Sequence, residues 1–455
     1  MTGSVGTISI ITKTGEFERK YFLNNPDITF FKSVYRKHTN FSKYLKSDSI
    51  AKNSTELSQS KDIQTGSDDL LAKIYLENKI TITQVKSGAN LEIFANLGSN
   101  FIENSDDESL SITIDNNRSV FKSYGLYQEV KGELLNQMSL TFDSGSGTHA
   151  PELELNGSIV SCKSGSHYNY TTLSGGVRGI TIPNGSFSSD KIIQTEYFYT
   201  IPEFSFMKDY GLALPLLCMR NVGNITFNVK FKSKDKLIQS TGSGSPSDFN
   251  LTYDSNLIQE LIQLDTDEKS RFLTSQLNYI TENVTRIDIS SKTQDIKSSI
   301  KLCKYILFVG KPNTDPTKFS ASNSLSTPSE LKLKSLNINI GGNPLYPGVV
   351  RLNKEIFTKL NINKYFSGCG RDLDAGAASE NHGQLDTIAM VPFSIEPLNY
   401  TQPSGCLSNQ GQIGTIKLDI ETTDTDTDSN PEIILYAINY NILQISDGKS
   451  QIQYH

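Results

Sequence analysis

The chain has 455 residues, enough to build two ordinary cores, because a single core stops growing near roughly 250–300 residues. With 36% hydrophobic and 20% charged residues, and 20 Tyr and 22 Phe for bulk, it reads as a folded globular chain and excludes disorder of the whole. Its net charge of −6 argues against a protein whose main task is wrapping nucleic acid, since neutralising phosphates takes clustered Lys and Arg.

In chain order, the first notable segment is basic. From Lys13 to Lys46, eight bases (Lys13, Arg19, Lys20, Lys32, Arg36, Lys37, Lys43, Lys46) face three acids (Glu16, Glu18, Asp27), a net +5 within an acidic chain. Phe30, Phe31, Tyr35 and Phe41 are interleaved with them. Such an arm can reach an acidic partner and anchor there with its aromatics. The plainer alternative is a first strand and turn whose aromatics join the core. Pro26 suits the start of a short helix over Asp27–His38, and Lys354–Leu360 is a second helical candidate.

Elsewhere strand signals dominate: short β-branched or aromatic runs bounded by Gly, Asn, Asp, Pro and Ser. Lys79–Val85, Leu110–Ile114, Ile225–Phe231, Val284–Ile289, Tyr305–Val309, Leu336–Ile340, Ile416–Ile420 and Ile433–Ile438 are the clearest. Several alternate apolar with polar, as half-buried antiparallel strands do. Many strands and few helices imply an all-β chain of sandwiches or barrels with short helices in loops. Three polar segments read as surface loops: Ser144–Gly147, Ser240–Ser247 and Thr422–Asn430. The most apolar stretch, Tyr210–Met219, falls short of the roughly 20 residues that span a bilayer, and no apolar leader follows Met1. The chain is therefore expected to be neither secreted by a cleaved leader nor membrane-spanning.

Chemistry-bearing patterns are weak. Cys162, Cys218, Cys303, Cys369 and Cys406 are odd in number, far apart and without a CxxC pair, so free thiols in a reducing compartment are expected. Gly448-Lys449-Ser450 resembles the end of a phosphate-cradling loop, but Leu443 stands where that loop needs Gly; a polar C-terminal turn is expected instead. Asp424, Asp426 and Asp428 could surround a hard cation, yet Ser429 and Leu435 occupy the Gly and Glu positions of a calcium loop, which leaves a solvated hairpin tip. His38, His149, His167, His382 and His455 are isolated, and neither HExxH nor GxSxG occurs. Sequons at Asn156, Asn184, Asn224, Asn283 and Asn399 arise readily by chance in a chain this rich in Asn, Ser and Thr. Neither cofactor nor metal is expected.

The basic segment carries a specific resemblance. Asn25 to Phe41 (NPDITFFKSVYRKHTNF) closely resembles the N-terminal signature of the major capsid proteins of nucleo-cytoplasmic large DNA viruses. Tyr210–Leu216 (YGLALPL), Leu264–Phe272 (LDTDEKSRF), Gln402–Gly405 (QPSG) and Tyr436–Leu443 (YAINYNIL) resemble later parts of that family in the right order. Departures are Ser408 and Gln410 where the family has Asn and Ser, a divergent stretch from Asn100 to Lys191, and the absence of Trp.

The resemblance implies a tandem double jelly roll of two eight-stranded barrels. It divides the chain into an N-terminal arm (1–24), a first jelly roll (25–272) and a second (273–455). It implies a non-enzymatic virion protein, assembled in the host cytoplasm, whose homotrimers tile an icosahedral shell. Neighbouring capsomers, minor capsid proteins and an inner membrane beneath the shell are the implied partners, with no direct nucleic-acid contact. Pro26, Phe30, Phe31, Lys32, Tyr35, Arg36, Lys37 and Phe41 are the expected inner-layer contacts. A minor capsid paralogue, a carbohydrate-binding jelly roll or fibre, and a polysaccharide-cleaving enzyme are the alternatives; the enzyme would need two carboxylates facing one cleft.

Overall fold

The computed structural model describes residues 39–452 apart from 85–89, 94–100, 104–107, 115–117, 129–151, 156–157, 162–179, 183–190, 195–197, 242–248, 311–332, 345–351, 354–387, 400–401, 410–415, 423–432, 447–448 and positions 67, 203 and 222. Branched and aromatic runs become strands because their side chains pack well on a pleated, half-buried surface. All eight predicted segments fall in strands, save Val85, which lies outside the described residues, and Phe231, which follows its strand as an isolated bridge to Ile102.

Sixteen strands carry the architecture. Those of the first half are β1 (Phe41–Ser54), β2 (Ser58–Ile63), β3 (Leu70–Gln84), β4 (Leu110–Ile114), β5 (Arg118–Ser123), β6 (Lys191–Gln194), β7 (Ile225–Lys230) and β8 (Phe249–Leu264). The second half has β9 (Leu277–Ile289), β10 (Thr293–Asp295), β11 (Leu302–Gly310), β12 (Leu333–Ile340), β13 (Asn343–Pro344), β14 (Ile388–Pro392), β15 (Ile416–Thr422) and β16 (Ile433–Ser446). In the first half the sheets run β1-β8-β3-β6 and β2-β7-β4-β5; in the second they run β9-β16-β11-β14 and β10-β15-β12-β13. The same antiparallel weave thus occurs twice, and it is the jelly-roll path. Shorter strands extend these sheets, and Asn90–Ile93, Ile180–Ile182 and Ile238–Thr241 form a small separate one. Every described strand pair stays within 41–264 or within 277–452.

Each half has its own core between its two sheets. Leu71, Ile74, Leu76 and Ile80 of β3 meet Ile112, Phe227 and Leu257 in the first, and Ile306, Phe308, Leu336, Val391 and Leu418 fill the second. The halves are then joined by apolar surface. Along β11 the side chains alternate, with Ile306 and Phe308 facing the second core while Tyr305, Leu307 and Val309 face outward. That outward face is covered by Tyr124, Leu126 and Tyr127 from the end of β5 and the helical turn 125–128. Tyr124 and Tyr127 lie 5.9 and 5.5 Å from the Tyr436 ring. Meanwhile β9 and β16 pair in unbroken register from Leu277↔Ile445 to Ile289↔Ile433, so Leu443 and Ile445 reach the first core. Each such fully buried side chain stabilises the junction by roughly 1.5–3 kcal/mol, so the residues from Phe41 onward form one compact unit.

Two local readings differ from expectation. The helix α1 (Thr266–Thr274) was not among the predicted ones, although Asp265 caps its first turn by accepting from Thr266 N, and Asp267, Glu268 and Arg271 sit where the helix dipole favours them. Both predicted helices, Asp27–His38 and Lys354–Leu360, lie outside the described residues. Of Gly448-Lys449-Ser450, expected as a polar turn, Lys449 and Ser450 begin a strand, Lys449–Ile452, whose backbone groups pair with Leu443–Ser446, and Gly448 lies outside the described residues. The apolar stretch Tyr210–Met219 forms two short 3-10 turns, Tyr210–Leu212 and Leu216–Met219. Among the described residues no helix is long and apolar enough to cross a membrane.

Candidate assembly surfaces

One surface forms where β1 begins, β8 ends and α1 follows. Directly opposed residues of an antiparallel pair share a face. Phe41, Lys43 and Leu45 of β1 oppose Leu264, Ile262 and Glu260 of β8, so all six lie on the outer side of the sheet. Part of that side is sealed: Leu70, Ala72 and Ile262 are covered by Ala213 and Leu217 from the 3-10 segment and by Phe272 of α1. Buried Asp69 fastens the corner, accepting from Leu264 N at 2.9 Å and from the Lys269 ammonium at 2.9 Å. Beyond the sealed area the apolar side chains stand open: Phe41 is 66% exposed, Leu45 65%, Leu273 63% and Tyr210 49%.

A polar cluster lies among them. Glu260, itself buried, accepts from the Tyr210 hydroxyl at 2.8 Å and pairs with Lys43 at 3.2 Å. Lys73 and Lys43 both lie over the Tyr210 ring, at 5.1 and 5.4 Å. Burial pushes the Glu260 carboxyl up, but the hydrogen bonds from Tyr210 and Lys43 and the charges of Lys43 and Lys73 outweigh it and hold the group below its usual value. The Lys43 ammonium is raised in turn by its hydrogen bonds to Tyr210 and Glu260. On the other face of β1, the Tyr44 hydroxyl bonds to Asp68.

The second surface is the connection from β14 to β15. A register shift between Cys303 and Tyr305 against β16 makes Lys304 the extra residue of a bulge. Its ammonium is fully buried, pairs with Glu282 and donates to Asn399 O at 2.9 Å, with the Tyr440 ring 5.2 Å away. The Lys304 carbonyl accepts from Phe393 N and Ser394 N, while Ile395 N donates to Ser404 O and Glu396 N to Ser404 Oγ. Gly405 turns the chain at φ 115°, a conformation that L side chains rarely adopt. Asn439 holds the preceding loop, donating to Ser299 O at 3.0 Å and accepting from Lys301 N at 3.0 Å. On this braced loop Ile395 is 78% exposed, the most open large apolar side chain among those described, with exposed Glu396 beside it.

Of the expected inner-layer contacts only Phe41 is described, exposed at the start of β1; Pro26, Phe30, Phe31, Lys32, Tyr35, Arg36 and Lys37 lie outside the described residues. So do all five histidines, Asp424, Asp426 and Asp428, and two of the cysteines. Cys218, Cys303 and Cys406 are free. Among the described residues no cluster of His, Cys, Asp and Glu could hold a metal ion. What sequence reasoning missed is the role of Lys304 and Ile395, although Gly405, Asn439 and Tyr440 lay within recognised motifs.

A twice-repeated jelly-roll weave with apolar surfaces at one corner and on one braced loop defines the class: a double jelly-roll protein. The family described as "Major capsid protein N-terminus" matches residues 29–264, and the chain belongs to that family. The major capsid protein of Pyramimonas orientalis virus is 24% identical over 445 residues, covering 95% of this chain and 96% of its own length. Capsid protein 1 of Acanthamoeba polyphaga mimivirus is 26% identical over 277 residues, 58% of this chain and 41% of that protein. Among solved structures, PBCV-1 VP54 fitted into a reconstruction of the virophage Sputnik has a TM-score of 0.59 at 17% identity, covering 94% of this chain and all of that one. The Faustovirus major capsid protein has a TM-score of 0.57 at 11% identity, covering 93% and 94%.

Proposed function

We propose that the chain is a non-enzymatic structural subunit that trimerises and tiles an icosahedral virus shell. The observation that carries this reading is the jelly-roll weave repeated within one chain. Three copies around a threefold axis present six similar barrels, a nearly hexagonal outline that packs edge to edge with neighbouring capsomers. The apolar junction between the halves suits that task, since a tile must hold its shape. Strand pairing that stays within 41–264 and 277–452 supports domains of 25–272 and 273–455 behind an arm of 1–24.

The N-terminal segment up to about Phe41 faces the particle interior in this reading, the net +5 of Lys13–Lys46 docking onto minor capsid proteins or an anionic inner membrane rather than onto nucleic acid, with assembly in the host cytoplasm. Each base near an anionic surface contributes about 1 kcal/mol. Light scattering on the purified protein should give three times the chain mass, and a persistent monomer at micromolar concentration would overturn the reading.

A further inference from the structure

The two halves cap one another in one direction only. Tyr124, Leu126 and Tyr127, which follow β5 at the helical turn 125–128, cap the outer face of the second half's sheet on Val284, Leu307 and Tyr436. The contact is not returned: among the described residues, the apolar cluster on the outer face of β1, β8 and β3 includes no side chain of 277–452. Each chain is thus left with an unfilled sheet face on its first half and, by the repeated weave, an unused cap on its second. A one-way contact of this kind is heterologous, and repeated from copy to copy it closes a ring.

Strand order locates the second cap. β5 is the edge strand beside β4 and ends with Ser123 opposite Leu110, where β4 begins; the capping residues come next. In the second half the same edge of β12 is paired by β13 and then by Leu352–Asn353, whose Asn353 opposes Ser335 near the start of β12. What comes next there is 354–360 (KEIFTKL), one of the two segments expected as helix. In a helix Leu360, four residues after Ile356 and three after Phe357, shares their face, which gives this segment the apolar side that Leu126 and Tyr127 provide in the first half.

The face left open suits such a cap. Ile258 of β8 opposes Tyr75 of β3 and lies two residues from Glu260, hence on the same outer side. Glu77 follows on that side, opposite Tyr199, whose hydroxyl donates to it at 3.0 Å. Tyr75, Tyr199 and Ile258 are only half-buried, and Leu45 and Tyr210 next to Glu260 are exposed. In the second half the matching strands carry Tyr305, Leu307, Tyr436 and Ile438 on this side, and there they are sealed. We propose that residues 354–360 of a second copy cap the outer face of β1, β8 and β3, as 124–127 cap β9, β16 and β11 within the chain. The contact rests on the trimer reading above, with three such contacts within chains and three between them closing a ring of six barrels.

A cysteine pair tests the contact. In a background with Cys162, Cys369 and Cys406 replaced by Ser, the Tyr75→Cys/Phe357→Cys variant treated with copper–phenanthroline should give covalent dimer and trimer, and nothing larger, in denaturing, non-reducing gels. Neither single variant should. Phe357→Asp should shift the trimer peak to monomer in size exclusion with light scattering, with unchanged circular dichroism, while Phe357→Leu should remain a trimer. If the parent scatters as a trimer yet the pair stays uncross-linked, consumes both thiols as a monomer or gives a ladder past three, the proposed contact is wrong while the trimer reading stands; a trimeric Phe357→Asp protein says the same. A monomeric parent would sink both.

Discussion

Lys304 provides the sharpest test of how the second half is held. Replacing it with Met keeps much of the side-chain volume but removes the ammonium, stranding the Glu282 carboxylate and the Asn399 carbonyl that it serves. Removing one partner of a buried ion pair costs roughly 3–5 kcal/mol, because the remaining charge is left without compensation. The Glu282 side chain retains 12% exposure, which lets water reach it and places the expected loss near the lower bound, about 3 kcal/mol.

Adding Glu282→Gln removes the stranded charge and should restore about 2 kcal/mol of that loss. Urea unfolding reads both values, followed by tyrosine fluorescence since the chain has no Trp, at one protein concentration because assembly adds to apparent stability. A Lys304→Met protein within about 1 kcal/mol of the parent, or a double variant no better than the single one, would refute the clamp.

The remaining predictions concern pH and the arm. Burial, with a smaller contribution from the Glu282 charge, pushes the Tyr440 phenol up to about 12 from 10.0, so its proton is held more tightly folded than unfolded. That contribution is complete below pH 10 and is lost as pH rises toward 12; the urea midpoint should fall across that window, and a flat profile would contradict the assignment. Arg36→Glu with Lys37→Glu should leave trimers intact yet weaken co-sedimentation with phosphatidylserine vesicles or the inner particle layer, an effect that salt also produces in the parent. Undiminished binding by that variant would remove the arm from the inner contact, and failure to fold would place it in the barrel core.

Much of the fold was legible in the chain itself. Alternation in Ile225–Phe231 and Ile416–Ile420 marks half-buried strands, and the structure buries Ile225, Phe227 and Val229 while Thr226 and Asn228 stay partly open. The unbroken runs Tyr305–Val309 and Ile433–Ile438 were legible as strands, and the structure buries them on both faces. Helix α1 escaped notice because a nine-residue helix with no buried side chain leaves almost no periodic apolar signal, and only its cap and end charges announce it. The expected arm contacts rest on family resemblance, with Phe41 alone placed by the structure.

Local pattern therefore determined the strands, their faces and the family, since period, turn residues and a long motif are all written along the chain. Tertiary structure alone decided what covers the outer face of β11 and β16, because Tyr124 and Tyr127 lie about 180 residues from Tyr305 and meet it only through the weave. It also decided the role of Lys304. In sequence it is one base beside a strand; a one-residue register shift turns it inward, and burial then forces it to find Glu282 and the Asn399 carbonyl, bracing the loop from which Ile395 projects.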